Sequence, residues 1–408
     1  TGIYKLSYAD LKNMGFSDPS KVSVHGYGGW PLDEDFSKEY IDDVPSTPVW
    51  RGSDYLLFYG KGPVKWEYDS SSQTFVHTNN PYSLYGYYFV TDATPTNDMT
   101  SVAQASGATN RITTYDDYLV HEQELVSLAK SGRELYGEDF SGATPRTLST
   151  FSSIPGITNE DAKVTMSFVS KVTSGTGVAS LSINQSNVLD VSIRSNREEY
   201  VKALEGVSTA VWKGEKSEKN SVVVSYNSAS HNNVRLNYVR LHFKRTLQPY
   251  GAYTFFRSIA SIGNVSRFVV QGANANTLVF DVTDAQRVRL METELNGSEL
   301  TFSIPAGTLR EFVLVRTDQS FISPEVVGEV ENQNLHALEQ KDMIIIAAKA
   351  FQTQAERLAE EHRATDGLTV EVVDPQSIYN EFSSGAPDAT AYRRFMKMFY
   401  DRSVSAGN

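Results

Sequence analysis

Cysteine is absent from the 408 residues. That removes disulfides, thiolate metal sites and a cysteine nucleophile from this chain. Long hydrophobic runs are also missing. None approaches the roughly 18–20 apolar residues needed to cross a bilayer as a helix, so no transmembrane segment is expected. The longest useful run, Met343-Ile344-Ile345-Ile346-Ala347-Ala348, has the length of a buried strand. Positive charge is in deficit, with a formal net charge of -12, which argues against nucleic acid or an anionic membrane as the main partner. The seven histidines form no His-x-x-x-His or His-x-His pair, which argues against zinc. No basic segment followed by an apolar core opens the chain, so Thr1-Gly2-Ile3-Tyr4-Lys5 is not a secretory signal. Without an initiating Met, the chain is expected to begin inside a longer product.

What is present points to β structure. Apolar residues make up 40% and charged residues 21%, enough to bury a core. With Tyr 22 and Phe 20 against Met 7, the composition suits half-buried pleated surfaces. At roughly 100–200 residues per domain, two to four domains are expected. Residues 1–145 read as a β-rich domain of short strands between Gly, Pro, Asp and Ser clusters, such as Val22 to His25 and Asp54 to Tyr59. Residues 146–325 alternate more strictly, most clearly over Val234 to Arg245. This predicts an antiparallel β-sandwich, jelly-roll-like. After about 326 the period changes. Met343 to Ala348 reads as a strand with both faces covered by helices. Phe351 to His362 reads as a helix, Leu368 to Val373 as a second strand, and Asp388 as the N-cap of a final helix. Ser403 to Asn408 reads as a loop after it. Strand–helix–strand–helix is the opening of a parallel α/β domain, and two strands are few for such a domain.

Candidate chemistry is sparse. His25-Gly26 has the His-Gly pair of caspase-like cysteine peptidases, but that chemistry needs a thiolate nearby, so a structural or solvent-facing histidine is expected. Gly26-Tyr27-Gly28-Gly29 lacks the Lys-Ser/Thr and helix start of a phosphate loop and reads as a turn. No Gly-x-Ser-x-Gly elbow occurs. Asp33-Glu34-Asp35 and Asp42-Asp43 have the oxygens that a structural Ca²⁺ prefers, without EF-hand spacing, and read as acidic surface loops. Arg235, Arg240, Lys244 and Arg245 form a basic strand face, read as solvated, with an anionic sugar or a neighbouring domain as the alternative. No catalytic, cofactor-binding or metal-binding residue is assigned.

Particular strings carry a resemblance. Gly2-Ile3-Tyr4-Lys5-Leu6 with Asp10-Leu11 and Met14-Gly15, Val24-His25-Gly26-Tyr27-Gly28-Gly29, and Gly52-Ser53-Asp54-Tyr55-Leu56-Leu57-Phe58-Tyr59 resemble the amino-terminal region of the gingipain family of cysteine peptidases. So do Ser131-Gly132-Arg133-Glu134 and the Asn237-Tyr238-Val239 strand. Asp342-Met343-Ile344-Ile345-Ile346 and Ile378-Tyr379-Asn380-Glu381-Phe382-Ser383-Ser384-Gly385, followed by Pro387-Asp388, resemble the start of the gingipain-type catalytic domain, which places its first β-α-β-α part in 326–408. The resemblance implies a mainly β, multidomain front portion of a surface-exposed peptidase of a Bacteroidota-type cell. Such a peptidase removes carboxy-terminal sorting domains from type IX secretion cargo and helps attach the cargo to the surface. Its implied partners are secreted cargo proteins and outer-membrane secretion components. Its mechanism uses a Cys thiolate with a His partner, neither of which maps onto this chain. The 408 residues are therefore expected to be inactive alone and to serve docking or positioning. The competing reading is a non-catalytic surface adhesin or carbohydrate-binding β-sandwich protein.

Overall fold

The fold was obtained as a computed structural model, which describes residues 1–130 and 132–405. Ser131 of the Ser131-Gly132-Arg133-Glu134 string, and Ala406, Gly407 and Asn408 of the expected terminal loop, lie outside the described residues. The chain is mostly β, with 39% strand and 15% helix in several antiparallel sheets.

A nine-stranded sheet forms the spine. Its order is Leu204–Trp212, Ala162–Lys171, Asn232–Thr246, Thr114–Glu122, Tyr253–Arg257, Glu311–Arg316, Thr277–Asp281, Arg289–Met291 and Ser101–Val102. Two four-stranded sheets cover its two halves. Arg146–Thr147, Val222–Tyr226, Thr176–Ile183 and Ser186–Arg194 close a core over the first half, around Phe168, Val191, Leu236 and Phe243. Asn110–Ile112, Ser266–Val270, Glu299–Ile304 and Glu294–Asn296 close another over the second half. There, Phe256, Phe268, Phe302 and Phe312 meet at ring separations of 5.0 to 6.1 Å. Alternation explains the pairing. Val234, Leu236, Val239, Leu241 and Phe243 all enter one core from a single strand, with register shifts against Ala162–Lys171. Thr114–Glu122, read above within the first region, lies inside this spine beside Asn232–Thr246.

The first residues build a smaller layer. Gly2–Ser7, Tyr55–Gly60 and Val49–Arg51 form an antiparallel sheet. Ile3, Leu57 and Tyr59 from it pack against Phe280, Val313 and Val315 of the spine. Its other side holds α1 (Tyr8–Asn13), capped by Ser7 Oγ on the Asp10 N–H. Ser23–His25 sits between Ser46–Thr47 and Phe89–Thr91.

The hairpin Val64–Asp69/Thr74–Asn79 forms a two-stranded sheet of its own. It lies across the spine, with Trp66 stacked 4.0 Å from Tyr118. This hairpin overturns the expectation of a solvated basic face. Arg240 is buried and donates to His77 Nδ1 at 3.3 Å. Lys244 meets Asp116 at 2.9 Å and Arg245 meets Asp117 at 2.8 Å. Arg235 donates to the Gly137 carbonyl at 2.8 Å and lies 3.2 Å from Asp139. Charges were drawn in because acidic partners stand on the neighbouring strand and aromatic rings cover them. Period-2 alternation alone does not report a second layer over the polar face.

The last region is α/β. Met343–Ile346 pairs in parallel with Val370–Val373 across α2 (Gln352–Thr365). α3 (Pro375–Phe382) starts with Asp374 as N-cap and Pro375 in its first turn. α4 (Ala389–Ser405) follows. Val373, Ile378, Phe382, Ala391, Phe395 and Phe399 form its core. Two expectations need correction. Met343–Ile346 is half-buried, with Ile346 37% exposed, and is not covered on both faces. Ser403 to Ser405 continue α4 and do not form a loop, since nothing before Ser405 breaks the helix. Among the described residues no helix is long and apolar enough to cross a membrane.

Candidate functional site

The first and last regions meet along a seam. One side is the stretch 26–45, which joins Ser23–His25 to Ser46–Thr47 without regular structure. The other is the turn from Ser383 to Asp388 between α3 and α4, buried except at Pro387. Ser384 interlocks them. Its Oγ accepts from the Tyr27 N–H at 3.0 Å and donates to the Tyr87 carbonyl at 3.1 Å. Ser384 has φ +54°, a left-handed conformation that a non-glycine residue adopts at a cost, and the two hydrogen bonds hold it there. Gly26 has φ +122°, and a Cβ on it would stand 2.6 Å from Ser384 Oγ, so only glycine lets the backbones approach. Replacing Ser384 by alanine would leave a buried N–H and a carbonyl without this partner. The expected loss is about 1–3 kcal/mol. It is to be checked by urea unfolding together with hydrogen exchange at the Tyr27 amide, which should speed up. Unchanged exchange there would count against the interlock.

Two arginines on α4 hold the loop by their flat faces. Arg393 lies 4.6 Å over Phe36 and Arg394 lies 4.4 Å over Tyr40. Arg394 also donates to the Ile41 carbonyl at 3.3 Å. Asp388 caps α4 at the Thr390 N–H, 2.7 Å away, and burial pushes its carboxyl above the usual range.

His336 stands at the centre. Its Nδ1 is 2.7 Å from Glu381 Oε2 and its Nε2 is 3.1 Å from Asp42 Oδ1. The ring stacks on Phe382 with centroids 4.5 Å apart. With carboxylates at both nitrogens, the ring is an imidazolium donating twice. Asp42 first and Glu381 second lift its pKa to about 10 against the pull of burial. Glu381 is itself buried, which pushes its carboxyl up. Four hydrogen bonds outweigh that burial: His336 Nδ1, Gln333 Nε2 at 2.8 Å, and the N–H groups of Leu335 and His336 at 2.7 and 3.2 Å. Asp42 is lowered chiefly by His336. The raised imidazole contributes fully below the ordinary histidine range, and that contribution fades as pH climbs towards 10. The lowered carboxylates contribute above their ordinary range and lose their share on acidification. The clasp is complete between those two ranges.

Sequence reasoning singled out Asp42-Asp43 but not their partners, because Asp42 and His336 are 294 positions apart. The remaining candidates do not gather there. His25 bonds the Val44 carbonyl through Nδ1 and Thr94 Oγ1 through Nε2, tying adjacent strands and loops. Asp33 faces Lys38, and Asp35 caps its own turn at Ser37. Glu34 pairs with Arg133. Gly26-Tyr27-Gly28-Gly29 is a turn, and its Tyr27 amide belongs to the seam. Surface recesses lie elsewhere. One runs along the outer side of α2, by Gln352, Glu356 and Glu360. Another, of about 340 Å³, lies at the hairpin tip by Gln73, Lys163 and His242.

Comparison with known proteins follows the same division. Residues 336–408 match peptidase family C25, and the match begins at His336. The crystal structure of dimeric latent PorU from Porphyromonas gingivalis is 33% identical, with a TM-score of 0.92. That match covers 99% of this chain and 39% of the PorU chain, so the chain spans well under half of that relative's length. A Paenibacillus cycloisomaltooligosaccharide glucanotransferase is 8% identical over 52% of this chain and 45% of its own, with a TM-score of 0.13. No curated protein matches the chain. On its two matches the chain belongs with the gingipain family of cysteine peptidases, family C25: residues 336–408 carry the family's own match, and the whole takes the architecture of the part of PorU that it covers.

Proposed function

We propose that these residues are the non-catalytic front portion of a cysteine endopeptidase of type IX secretion. Such an enzyme removes carboxy-terminal sorting domains from exported cargo at the cell surface and helps attach that cargo there. In this reading the β layers are a platform that orients the opening of the peptidase domain and docks cargo or secretion components of the outer membrane. One observation carries the reading. The family match begins at His336, and that residue clasps Asp42 of the β platform to Glu381 of α3. The α/β segment is thus fixed to the β layers by hydrogen bonds across the seam, the buried Tyr27–Ser384 bond among them, and not by a free linker.

Two measurements test it. The purified 408-residue chain should release no product from a cargo protein that carries its sorting domain, because it offers no thiolate. Cleavage by the chain alone would end the non-catalytic assignment. The immobilised chain should retain cargo sorting domains or secretion-system outer-membrane proteins above an unrelated β-sandwich of equal charge. Equal retention by that control would end the docking role while leaving the family assignment intact.

A further inference from the structure

We propose that Asp42, Asp43 and the Nε2 of His336 bind a divalent cation of the zinc class, with Glu381 supporting the imidazole from behind. This site is independent of the peptidase reading.

The donors come from two separate stretches, 42–43 and 336, that the seam brings together, and Glu381 stands behind them on a third. Asp43, His336 and Glu381 each present a ligand atom within 4.8 Å of the other two. Asp42 Oδ1 stands 3.1 Å from His336 Nε2. In a tetrahedral zinc site with bonds of about 2.0–2.2 Å, neighbouring ligand atoms are about 3.3 Å apart. Nε2 and Asp42 Oδ1 therefore already have the spacing of one edge. Asp43 is exposed, so its carboxylate can close the remaining gap without disturbing the core.

The support behind the ring is what separates this cluster from a patch of surface acids. A metal-bound imidazole gives its second N–H to a carboxylate, which sets the tautomer and the ring plane. Glu381 is placed for that role at Nδ1, 2.7 Å away. It is anchored by Gln333 and by the backbone N–H of Leu335. Stacking on Phe382 fixes the ring plane. Nε2 then faces Asp42, with Asp43 beside it to turn inward, a donor set of one nitrogen and two oxygens.

That set suits a borderline cation. Ca²⁺ takes six to eight oxygens, and Mg²⁺ demands an oxygen octahedron. Binding is an exchange: the metal takes the Nε2 lone pair, the proton there leaves to solvent, and water fills the fourth position. The bound ion would join the loop, the segment before Met343–Ile346 and, through Glu381, α3.

The test is calorimetric titration of the metal-free 408-residue chain with ZnCl2, with thermal melting alongside. One equivalent should bind and raise the melting temperature, and CaCl2 should do neither. His336→Gln should abolish the binding but can also loosen the seam, so Asp43→Asn decides. Among the described residues the Asp43 carboxylate bonds only the adjacent Val44 N–H, so this variant should melt like the parent without metal and bind at least about tenfold more weakly. His362→Gln, at a half-buried histidine on α2, is the control and should bind as the parent does. No saturable equivalent with zinc, or unchanged affinity in Asp43→Asn, would overturn the site.

Discussion

Arg257→Ala is expected to lower the stability of the chain by about 3–5 kcal/mol, the range for breaking a buried ion pair from one side. Arg257 is 1% exposed at the middle of the spine. Its guanidinium lies 2.9 Å from Glu311, 3.2 Å from the Asp116 carbonyl and 3.7 Å from Asp117. Its flat face sits 4.3 Å from the Tyr118 ring centroid. Burial works against its charge, but Glu311, Tyr118 and Asp117 outweigh that and hold it protonated. Alanine would remove the cation, leave buried acceptors facing one another and open a void beneath the hairpin. Arg257→Lys should recover only part of the loss, because an ammonium cannot serve the several acceptors that the planar fork reaches. Urea midpoints for the three proteins decide it. A loss below about 1 kcal/mol in Arg257→Ala would place the burden of the spine on its apolar cores alone.

Much of the secondary structure was legible because the β period is written strictly where one side of a strand is dry. Val222–Tyr226, the alternating Val234 to Arg245 stretch within Asn232–Thr246, and Tyr55–Gly60 appear where alternation or a Gly stop placed them. Capping was legible at Asp388, whose side chain holds the Thr390 N–H. Other strands were silent. Leu204–Trp212 carries Gly206, Ser208 and Ala210 on its inward side, residues too small to read as a core face. They are small because strand Ser186–Arg194 crosses close by, with Val191 only 2.7 Å from where a Gly206 Cβ would be. Ser186–Arg194 itself starts in a polar turn. The seam was the least legible part. Each of its members, Tyr27, Asp42, His336 and Ser384, is locally unremarkable, and its role depends on contacts across hundreds of positions. The sequence signals there were the acidic pair Asp42-Asp43, read as a surface loop, and the string Ile378 to Asp388, singled out for its resemblance, which forms one wall of the seam.

Lys61→Met is expected to stabilise the chain at neutral pH by about 2–3 kcal/mol, a gain where most core substitutions lose. Lys61 is 8% exposed, and its ammonium lies 4.4 Å from the Trp30 ring centroid. Its backbone has no freedom to carry the side chain elsewhere. The amide donates to Tyr88 Oη at 2.8 Å and the carbonyl accepts from the Gly29 N–H at 3.1 Å. That carbonyl stands 2.6 Å from where a Gly28 Cβ would be. Burial, only partly answered by Asp284, brings the amine down from 10.5 to about 8. At 1.36 kcal/mol per unit, this is about 3 kcal/mol of penalty for holding the charge, less what is lost with the contact to Trp30. The sign with pH follows from which state keeps the proton. Between about 8 and 10.5 the unfolded chain binds it and the folded chain has released it, so the parent gains stability as pH rises through that window. Methionine keeps the stem on Trp30 and removes the charge. The advantage of Lys61→Met should therefore be full at pH 7, shrink above pH 8 and vanish near 10.5. Paired urea midpoints at pH 7 and pH 10 read this difference, with other titrations common to both proteins. A variant less stable than the parent at pH 7 would mean that the ammonium–indole contact outweighs the desolvation of the amine, and that Lys61 is buried because of Trp30 rather than in spite of its charge.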